Sequence, residues 1–367
     1  MSRAREFADL AGSADAGGLT GRNLVINGAA TVNQRGTKTG LTGDAYFIDR
    51  FKWGVTNLGT WTASQDTDTP DGFAHSAKIE CTTADASPAA ADFCYLYTRF
   101  EGQDLQHLKF GTSAARPITI SFYVKCTKTG VFTVNWRNQD AGRSIGSDVT
   151  INSANTWEYK TITFAGDTSG SFNNDNGWSA NLEFVLNGGT NYTSGSTHTS
   201  YASHSNTDGT RAGGTTLALG AAVGDIIRFT GIQLEVGEQA TPFEHRSFGD
   251  ELRRCQRYYE HSYPYGTAAG AANGGVGAMH LHAGASRPSI YAFVTTRYTV
   301  QKRAAATVTI YSYGGTSGQM SNGDSGGNIG AVDVIQNGAT SFLVRNNSGS
   351  TMSEQPIIFH YRGDAEL

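Results

Sequence analysis

A short polar stretch around a tryptophan, SFNNDNGWSANLE at positions 171–183, has residue types suited to contact with a sugar ring. Such a ring stacks its apolar face on an aromatic plane, and its hydroxyl groups pair with amides and carboxylates. Trp178 offers the plane, and Asn174, Asp175 and Asn176 offer the polar partners. The alternative interpretation is a plain turn, with Trp178 covering the end of a β-sandwich.

A second candidate segment runs from Asn187 to Thr215 and consists mainly of Gly, Ser, Thr, Asn, His and Tyr. This composition predicts a long surface loop, and loops of that length are often functional. Tyr192 and Tyr201 are its candidates for sugar contact. The alternative is that these tyrosines pack on neighbouring subunits.

Two patterns could hold a metal ion. In AMHLHAG, His280 and His282 lie two residues apart, so a strand would place both imidazoles on one face. Three copies around a threefold axis would offer six nitrogens to iron, nickel or zinc. The alternative is a solvent-facing or interface-packed pair. The NNDN turn at 173–176 is the one oxygen-rich turn that could help to bind a structural calcium, although it lacks EF-hand spacing.

Catalytic motifs are missing from the sequence. There is no GxSxG elbow, HExxH pair or phosphate-binding loop. Five acids could in principle pair across a cleft as glycosidase carboxylates do, but their spacing selects no pair, and ordinary solvated side chains explain them. They are Glu101, Asp104, Asp167, Asp175 and Glu183. The sequence therefore predicts a protein that is not an enzyme.

Composition favours an all-β protein. The 367 residues include 46 glycines, with 16% charged and 11% aromatic residues, which suits many short strands joined by turns. The net charge of −4, without a basic run, argues against a nucleic-acid partner. We expect neither membrane insertion nor an N-terminal secretory signal, and hence synthesis in a cytoplasm.

The cysteines and most tryptophans have the pattern of buried residues. The cysteines show no CxxC or metal-ligand spacing, which predicts small buried side chains, with a Cys81–Cys94 pair as an open alternative. The others are Cys126 and Cys255. Four tryptophans lie beside alternating apolar residues and are predicted in the core or at its edge: Trp53, Trp61, Trp136 and Trp157.

Strand-like runs and turn signals divide the chain into four regions. Residues 1–22 form a short N-terminal arm, and residues 23–246 form a jelly-roll β-sandwich. Residues 247–256 form a short helical connector, and residues 257–367 form a smaller C-terminal β-sandwich domain. The run GIQLEVG at 231–237 is predicted to close the jelly roll beside its first strand, NLVING at 23–28.

The N-terminal SRAREFADL resembles the start of fibre-like proteins of podophages that infect marine bacteria. Several other stretches resemble the framework of bacteriophage tail-fibre and other virion appendage proteins. They are NLVINGAATVNQRG, AYFIDRFKWG, GIQLEVGEQATPFEHRSFGDELRRCQRYYEHSY and the final RGDAEL. The resemblance implies a carbohydrate-binding-module-like jelly roll followed by a small β domain.

The same resemblance implies a place in the virion. The expected function is that of a structural fibre or appendage protein that contributes to attachment to host-surface glycans. The expected partners are two further copies in a homotrimer, and other tail or capsid proteins through the N-terminal arm. Two alternatives stay open: a secreted or host-encoded sugar-binding module, and a spacer, adaptor or capsid-decorating protein that binds no receptor.

Overall fold

The computed structural model describes residues 21–282, 293–346 and 356–367, and most of its regular structure is β-strand. The all-β class predicted from the sequence is confirmed. The described residues divide into two compact units. The first comprises residues 21–31, 37–248 and 367, and the second comprises residues 32–36 and the described part of 249–366.

The first unit contains thirteen strands, a 3₁₀-helix at Gly102–Leu108 and a short helix α1 at Thr190–Thr193. Its strands are β1 (Lys38–Leu41), β2 (Ala45–Ile48), β3 (Phe51–Thr56), β4 (Thr60–Asp66), β5 (Ser76–Thr83), β6 (Phe93–Glu101), β7 (Ile118–Cys126), β8 (Gly130–Asn138), β9 (Arg143–Ile151), β10 (Glu158–Phe164), β11 (Trp178–Gly188), β12 (Ala202–Ser203) and β13 (Ile226–Val236).

These strands form two antiparallel sheets that face each other, so the jelly-roll β-sandwich predicted here is confirmed. A six-stranded sheet has the order β1-β4-β5-β13-β7-β10. A seven-stranded sheet has the order β12-β9-β8-β11-β6-β3-β2. Because side chains alternate along a strand, each sheet turns one face to the core and the other outward. The outward side of the seven-stranded sheet is called the outer face below.

Aromatic side chains from both sheets fill the core between them. Phe184 of the seven-stranded sheet contacts Phe229 and Phe122 of the six-stranded sheet, with ring centroids 4.9 and 5.1 Å apart. Trp53 and Trp61 pack across the same interface at 4.9 Å. All five rings are fully buried. Burial of such large apolar surfaces is the main favourable term that joins the two sheets.

The segment NLVING, predicted as the first strand, is irregular. It does lie beside β13, because the Leu24 amide donates to the Leu234 carbonyl at 2.8 Å and the Ile232 amide donates to the Gly28 carbonyl at 2.9 Å. The Asn23 side chain makes further bonds to the backbone of Ile232 and Leu234, at 3.1 Å each, and so replaces part of a regular ladder. A Cβ at Gly28 would lie 1.9 Å from the Ile232 carbonyl oxygen. The segment can therefore lie this close to β13 only with glycine at position 28.

The chain after β13 folds back along the first unit. The Glu244 carboxylate accepts a hydrogen bond from the Asn23 amide at 2.8 Å, and the Arg246 guanidinium donates to the Val25 carbonyl at 3.1 Å. The predicted helix follows as α2, at Phe248–Gln256, with acids in its first turn and arginines in its last. The two units divide between Phe248 and Gly249.

The second unit contains α2 and one hydrogen-bonded sheet of eight strands around a separate apolar core. The path is β14-β21-β18-β19-β20-β16, and β15 and β17 also pair with β21. The strands are β14 (Tyr259–His261), β15 (Met279–His282), β16 (Phe293–Arg297), β17 (Thr307–Tyr311), β18 (Gln319–Asn322), β19 (Asn328–Ile335), β20 (Ser341–Asn346) and β21 (Pro356–Asp364). Within the described ranges, no helix combines the length and apolar character needed to cross a membrane.

All four cysteines are buried and free, which agrees with their predicted role as small core residues. Burial raises the pKa of the Cys94 and Cys126 thiols, so both stay protonated at neutral pH. Cys81 and Cys94 do not form the disulfide left open as an alternative.

Phe184→Ala should destabilise the first unit by about 3–5 kcal/mol, because it removes a ring that Phe122 and Phe229 contact and leaves a cavity. All five tryptophans lie in the first unit, so tryptophan fluorescence during urea unfolding of the full chain reports on that unit. The control is Tyr159→Ala, on the outward side of the other sheet and 48% exposed, for which we expect a change of about 0.5 kcal/mol. Equal losses in the two variants would contradict this assignment of the core.

Candidate functional site

Strand β6 places a series of large side chains on the outer face. Phe93, Tyr95, Tyr97 and Arg99 alternate with residues such as Leu96 that belong to the core. This alternation follows from the two-residue period of a strand. The outer face is therefore aromatic and cationic in the middle of the seven-stranded sheet.

These side chains form part of a continuous stack, called the stacked row here. Its members, in spatial order, are Trp178, Arg99, Tyr97, Tyr95, Arg211, Phe93 and Tyr192. At one end the Arg99 guanidinium carbon lies 3.7 Å from the Trp178 ring centroid and 5.3 Å from that of Tyr97. Tyr97 and Tyr95 stack at 4.6 Å with nearly parallel planes. Such alternation of rings and guanidinium groups is stabilised by cation–π attraction.

The other end of the stacked row lies beneath residues 189–215. Arg211 from that segment lies over Tyr95 and Phe93, 4.8 and 4.6 Å from their centroids. Tyr192 stacks on Phe93 at 4.2 Å and is buried. The accessible part of the row therefore consists of Trp178, which is 37% exposed, together with the half-buried Arg99 and Tyr95.

Gly54 makes room for the middle of the row. It pairs directly with Tyr95 across β3 and β6, and a Cβ at this position would lie 2.4 Å from the Tyr95 ring. The tyrosine can lie against the sheet only because residue 54 has no side chain. Any larger residue there would push the ring out of the row.

Residues 189–215, the covering loop, lie over the other half of the outer face. The predicted long surface loop is present, and it contains α1 and β12. The Gly146 amide of β9 donates to the His198 carbonyl at 2.7 Å, and the Asn135 side chain of β8 donates to the Arg211 carbonyl at 2.7 Å. A Cβ at Gly146 would lie 2.8 Å from Thr197, so the loop sits directly on the strand.

A buried ion-pair cluster fixes the covering loop to the sheet. Glu183 of β11 is completely buried, and Arg211 of the loop donates to both of its carboxylate oxygens at 3.0 and 2.9 Å. Arg137 of β8 lies 3.4 Å from the same carboxylate, and Asn181 donates to it at 3.0 Å. Burial alone raises the pKa of Glu183. The charges of Arg211 and Arg137, with the hydrogen bonds, outweigh burial and lower the pKa to about 2.

A small pocket opens between the covering loop and the sheet, lined in part by Ser144 and Arg211. Three further lining atoms, Nε of the buried Arg137 and Nδ1 of His198 and His204, make no hydrogen bond within the described structure. Burial, and then the charge of Arg137, lower the pKa of His204 to about 4, so this histidine is neutral at pH 7. One donor and two imidazole nitrogens suit a single hydroxyl group or water.

The structure separates the predicted sugar-contacting tyrosines of the covering loop from Trp178. Trp178 and Tyr192 lie at opposite ends of the stacked row, but Tyr192 is buried within its own chain and contributes to loop packing. Residues 174–176 are exposed in the turn before β11, where Asp175 accepts a hydrogen bond from the Gly177 amide at 2.8 Å. Tyr201 lies apart from the row and packs on Phe110, with centroids 5.8 Å apart.

Three of the acids expected to be ordinary solvated side chains are buried instead. Glu183 holds the ion-pair cluster, Glu101 is fully buried, and Asp167 pairs with Arg143 at 2.7 Å. The expectation was wrong because charge alone does not show exposure, and a carboxylate inside a protein keeps its charge when cations or donors surround it.

The structure describes the predicted metal-binding residues only in part. His280 is exposed on β15, and the side chain of His282 lies outside the described residues. At the NNDN turn, the Asp140 carboxylate accepts two hydrogen bonds from Asn173, at 2.9 Å each. Throughout the described ranges, no three His, Cys, Asp or Glu residues form a group that could hold a metal ion.

Tyr95, Tyr97 and Arg99 were missed by the sequence analysis. Their run, FCYLYTRF, has the pattern of a strand in which apolar or aromatic residues occupy both alternating sets. The available signal was the series of large side chains at 93, 95, 97 and 99. It could not show which set faces outward.

No protein-family model matches the sequence. No curated protein matches it either.

Among solved structures, the enzymatically active domain of bacteriophage CBA120 tailspike protein 4 is similar over 59% of this chain, with 13% identity and a TM-score of 0.31. A family 11 carbohydrate-binding module of Clostridium thermocellum is similar over 57%, with 11% identity and a TM-score of 0.28. A family 4 carbohydrate-binding module is similar over 48%, with 11% identity and a TM-score of 0.25.

The matched region spans 21% of the tailspike domain, 99% of the family 11 module and 94% of the family 4 module. Similarity at this level does not identify a ligand.

Glu183→Gln should destabilise the first unit by about 3–5 kcal/mol at pH 7, because two buried guanidinium groups lose their counter-charge. The folded carboxyl has a pKa of about 2, below its ordinary 4.5. Its stabilising effect is therefore complete above about pH 4.5 and is lost as the pH falls towards 2. Urea unfolding at several pH values should show that the difference in the free energy of unfolding between wild type and variant decreases as the pH falls from about 4.5 towards 2. The control is the exposed Glu238→Gln, and a gap that does not change with pH would contradict the assignment.

Proposed function

We propose that this chain is a glycan-binding component of a phage virion appendage, and that it binds its glycan on the accessible part of the stacked row. The observation that carries the proposal is the exposed Trp178 ring, held in place by Arg99 beside the polar turn at 174–176. A ring fixed by stacking loses little side-chain entropy when a ligand binds. Amide and carboxylate groups next to it can accept and donate hydrogen bonds to sugar hydroxyls.

The site favours binding over catalysis. Hydrolysis of a glycosidic bond normally needs two carboxyl groups, one of which is protonated near neutral pH. Beside the stacked row, Glu183 pairs with two arginines and has a lowered pKa, so this carboxyl group is not suited to act as a general acid.

The virion part of the proposal rests on the sequence resemblance to phage appendage proteins. Residues 1–22, which lie outside the described residues, would attach the chain to tail or capsid proteins. A homotrimer fits this role, because slender β domains can cover their sheet edges against one another. In a trimer, His280 and His282 would be the proposed transition-metal ligands, and the NNDN turn would be the proposed calcium site. A secreted sugar-binding module and a spacer or decoration protein are the competing functions.

Trp178→Ala and Tyr95→Ala should each weaken glycan binding by about tenfold, which corresponds to about 1.4 kcal/mol, because each removes an aromatic surface on which a sugar ring would stack. The measurement is a glycan array of the full chain, followed by titration calorimetry on the best ligand. Tyr159→Ala, an exposed aromatic on the opposite sheet, is the matched control and should bind as wild type does. If no array member binds the wild type, the spacer function is favoured and glycan binding is contradicted.

The virion assignment predicts a trimer with a fixed position in the particle. Light scattering of the purified chain should give three times the mass of one chain, and metal analysis of that species shows whether the histidine pair holds an ion. Gold-labelled antibody against the chain should mark tail or capsid in micrographs of the phage. A stable monomer would contradict the trimer, and secretion by a host cell without any phage would favour the secreted module.

A further inference from the structure

The pocket between the covering loop and the sheet lies in line with Trp178 across the strands. Trp178 stacks on Arg99, which pairs with Asn181 of β11. Asn181 pairs with Arg137 of β8, and Arg137 pairs with Ser144 of β9. The last two residues line the pocket. Because neighbouring strands lie about 4.8 Å apart, Arg137 lies roughly 10 Å from Arg99 along this line, a distance that a short oligosaccharide can span.

A chain of hydrogen bonds follows the same line and ends at an unpaired donor. The Trp178 indole N–H donates to the side-chain oxygen of Asn181. The Asn181 amide donates to the Glu183 carboxylate at 3.0 Å, and Glu183 pairs with Arg137 at 3.4 Å. Nε of Arg137 makes no hydrogen bond within the described residues, although this side chain is 2% exposed. A buried charged donor without a partner costs free energy, so the pocket favours a group that can accept from it.

His204 supplies an unpaired acceptor in the same pocket. Burial, and then the charge of Arg137, lower the pKa of His204 to about 4, so its ring is neutral at pH 7. The ring donates a hydrogen bond to the Arg143 carbonyl. Since Nδ1 has no partner in the described structure, Nε2 is the donor and Nδ1 is left as an acceptor. A hydroxyl group, which can accept one hydrogen bond and donate another, suits this combination.

The size and charge of the pocket also suit a hydroxyl group. The pocket has room for a single water-sized group. Burial raises the pKa of Asp208, but hydrogen bonds from Thr210 outweigh burial and lower it, so this lining carboxylate is ionised at pH 7. Asp208 and Glu183 together balance the two guanidinium groups at the pocket, those of Arg137 and Arg211. A neutral group keeps that balance.

We propose that this pocket is a second subsite for the glycan, and that it takes one neutral hydroxyl group of a sugar unit beyond the one that contacts Trp178. This inference rests on the proposed function of the same face. The hydroxyl accepts from Nε of Arg137 and donates to Nδ1 of His204, so the glycan crosses the strands from Trp178 towards β9. A sugar without that hydroxyl is rejected because both buried partners stay unpaired.

The test uses the tightest-binding oligosaccharide of the glycan array and a set of analogues in which each hydroxyl in turn is replaced by hydrogen. Calorimetric titration of the full chain should identify one hydroxyl whose removal weakens binding to wild type by about tenfold. His204→Ala should weaken binding of the parent by a similar factor and should bind the parent and that analogue equally. Trp178→Ala should bind both more weakly and keep the difference between them. The matched control is His245→Ala, at an exposed histidine outside the pocket, which should behave as wild type does.

A second measurement needs no substitution. Nitrogen NMR of the histidine side chains in the wild-type chain follows Nδ1 of His204 directly. Its signal should shift when the parent oligosaccharide is added to saturation. It should stay in place when the chain is saturated with the analogue that lacks the selected hydroxyl, because that analogue reaches Trp178 without a donor for the imidazole.

The outcomes separate the subsite from the proposed function. Three results would each overturn the subsite and leave glycan binding at Trp178 in place: no hydroxyl whose removal weakens binding, a loss that persists in His204→Ala, or a His204 signal that ignores the bound parent. The pocket then holds ordered water only. Absence of binding to every member of the array overturns both proposals.

Discussion

The burial of one carboxylate, Glu183, organises the outer face of the seven-stranded sheet. A charge at that depth is tolerated only with close counter-charges, and one of the two comes from the covering loop. Arg211 therefore has two roles, because the guanidinium that neutralises Glu183 also lies over Tyr95 and Phe93. The order of the loop, the ionisation of Glu183 and the alignment of the aromatic rings depend on one another. The accessible Trp178 lies at the far end of that arrangement.

Much of the fold could be predicted from local patterns. Alternation and turn residues indicated the two β regions and the helix after β13, and Trp53, Trp61 and Trp136 are fully buried as expected. The run AYFIDRFKWG has the pattern of a single strand, but it forms β2 and β3, joined by a turn in which Arg50 has a φ of 71°. Glycine or asparagine usually marks such a turn, so an arginine there gave no signal.

The candidate site could be predicted only in part, because its geometry depends on contacts between residues that are distant in sequence. Trp178 was found from its polar neighbours, which are adjacent in the chain. Its stacking partner, Arg99, lies on another strand and in a run whose two faces are equally apolar. The covering loop was expected from composition. Its close contact with β9 depends on Gly146, because a side chain at that position would collide with the loop. Such information is not contained in any short window of sequence.

The position of β13 has a consequence for how the chain is made. It is the last strand of the first unit in chain order, yet it lies inside the six-stranded sheet, between β5 and β7. As the polypeptide leaves the ribosome, β5 and β7 emerge first, and the edges that β13 will occupy have no partner. Open strand edges readily join those of other chains. The nascent protein therefore stays vulnerable to self-association until β13, which ends at Val236, has left the ribosome and can pair with β5 and β7.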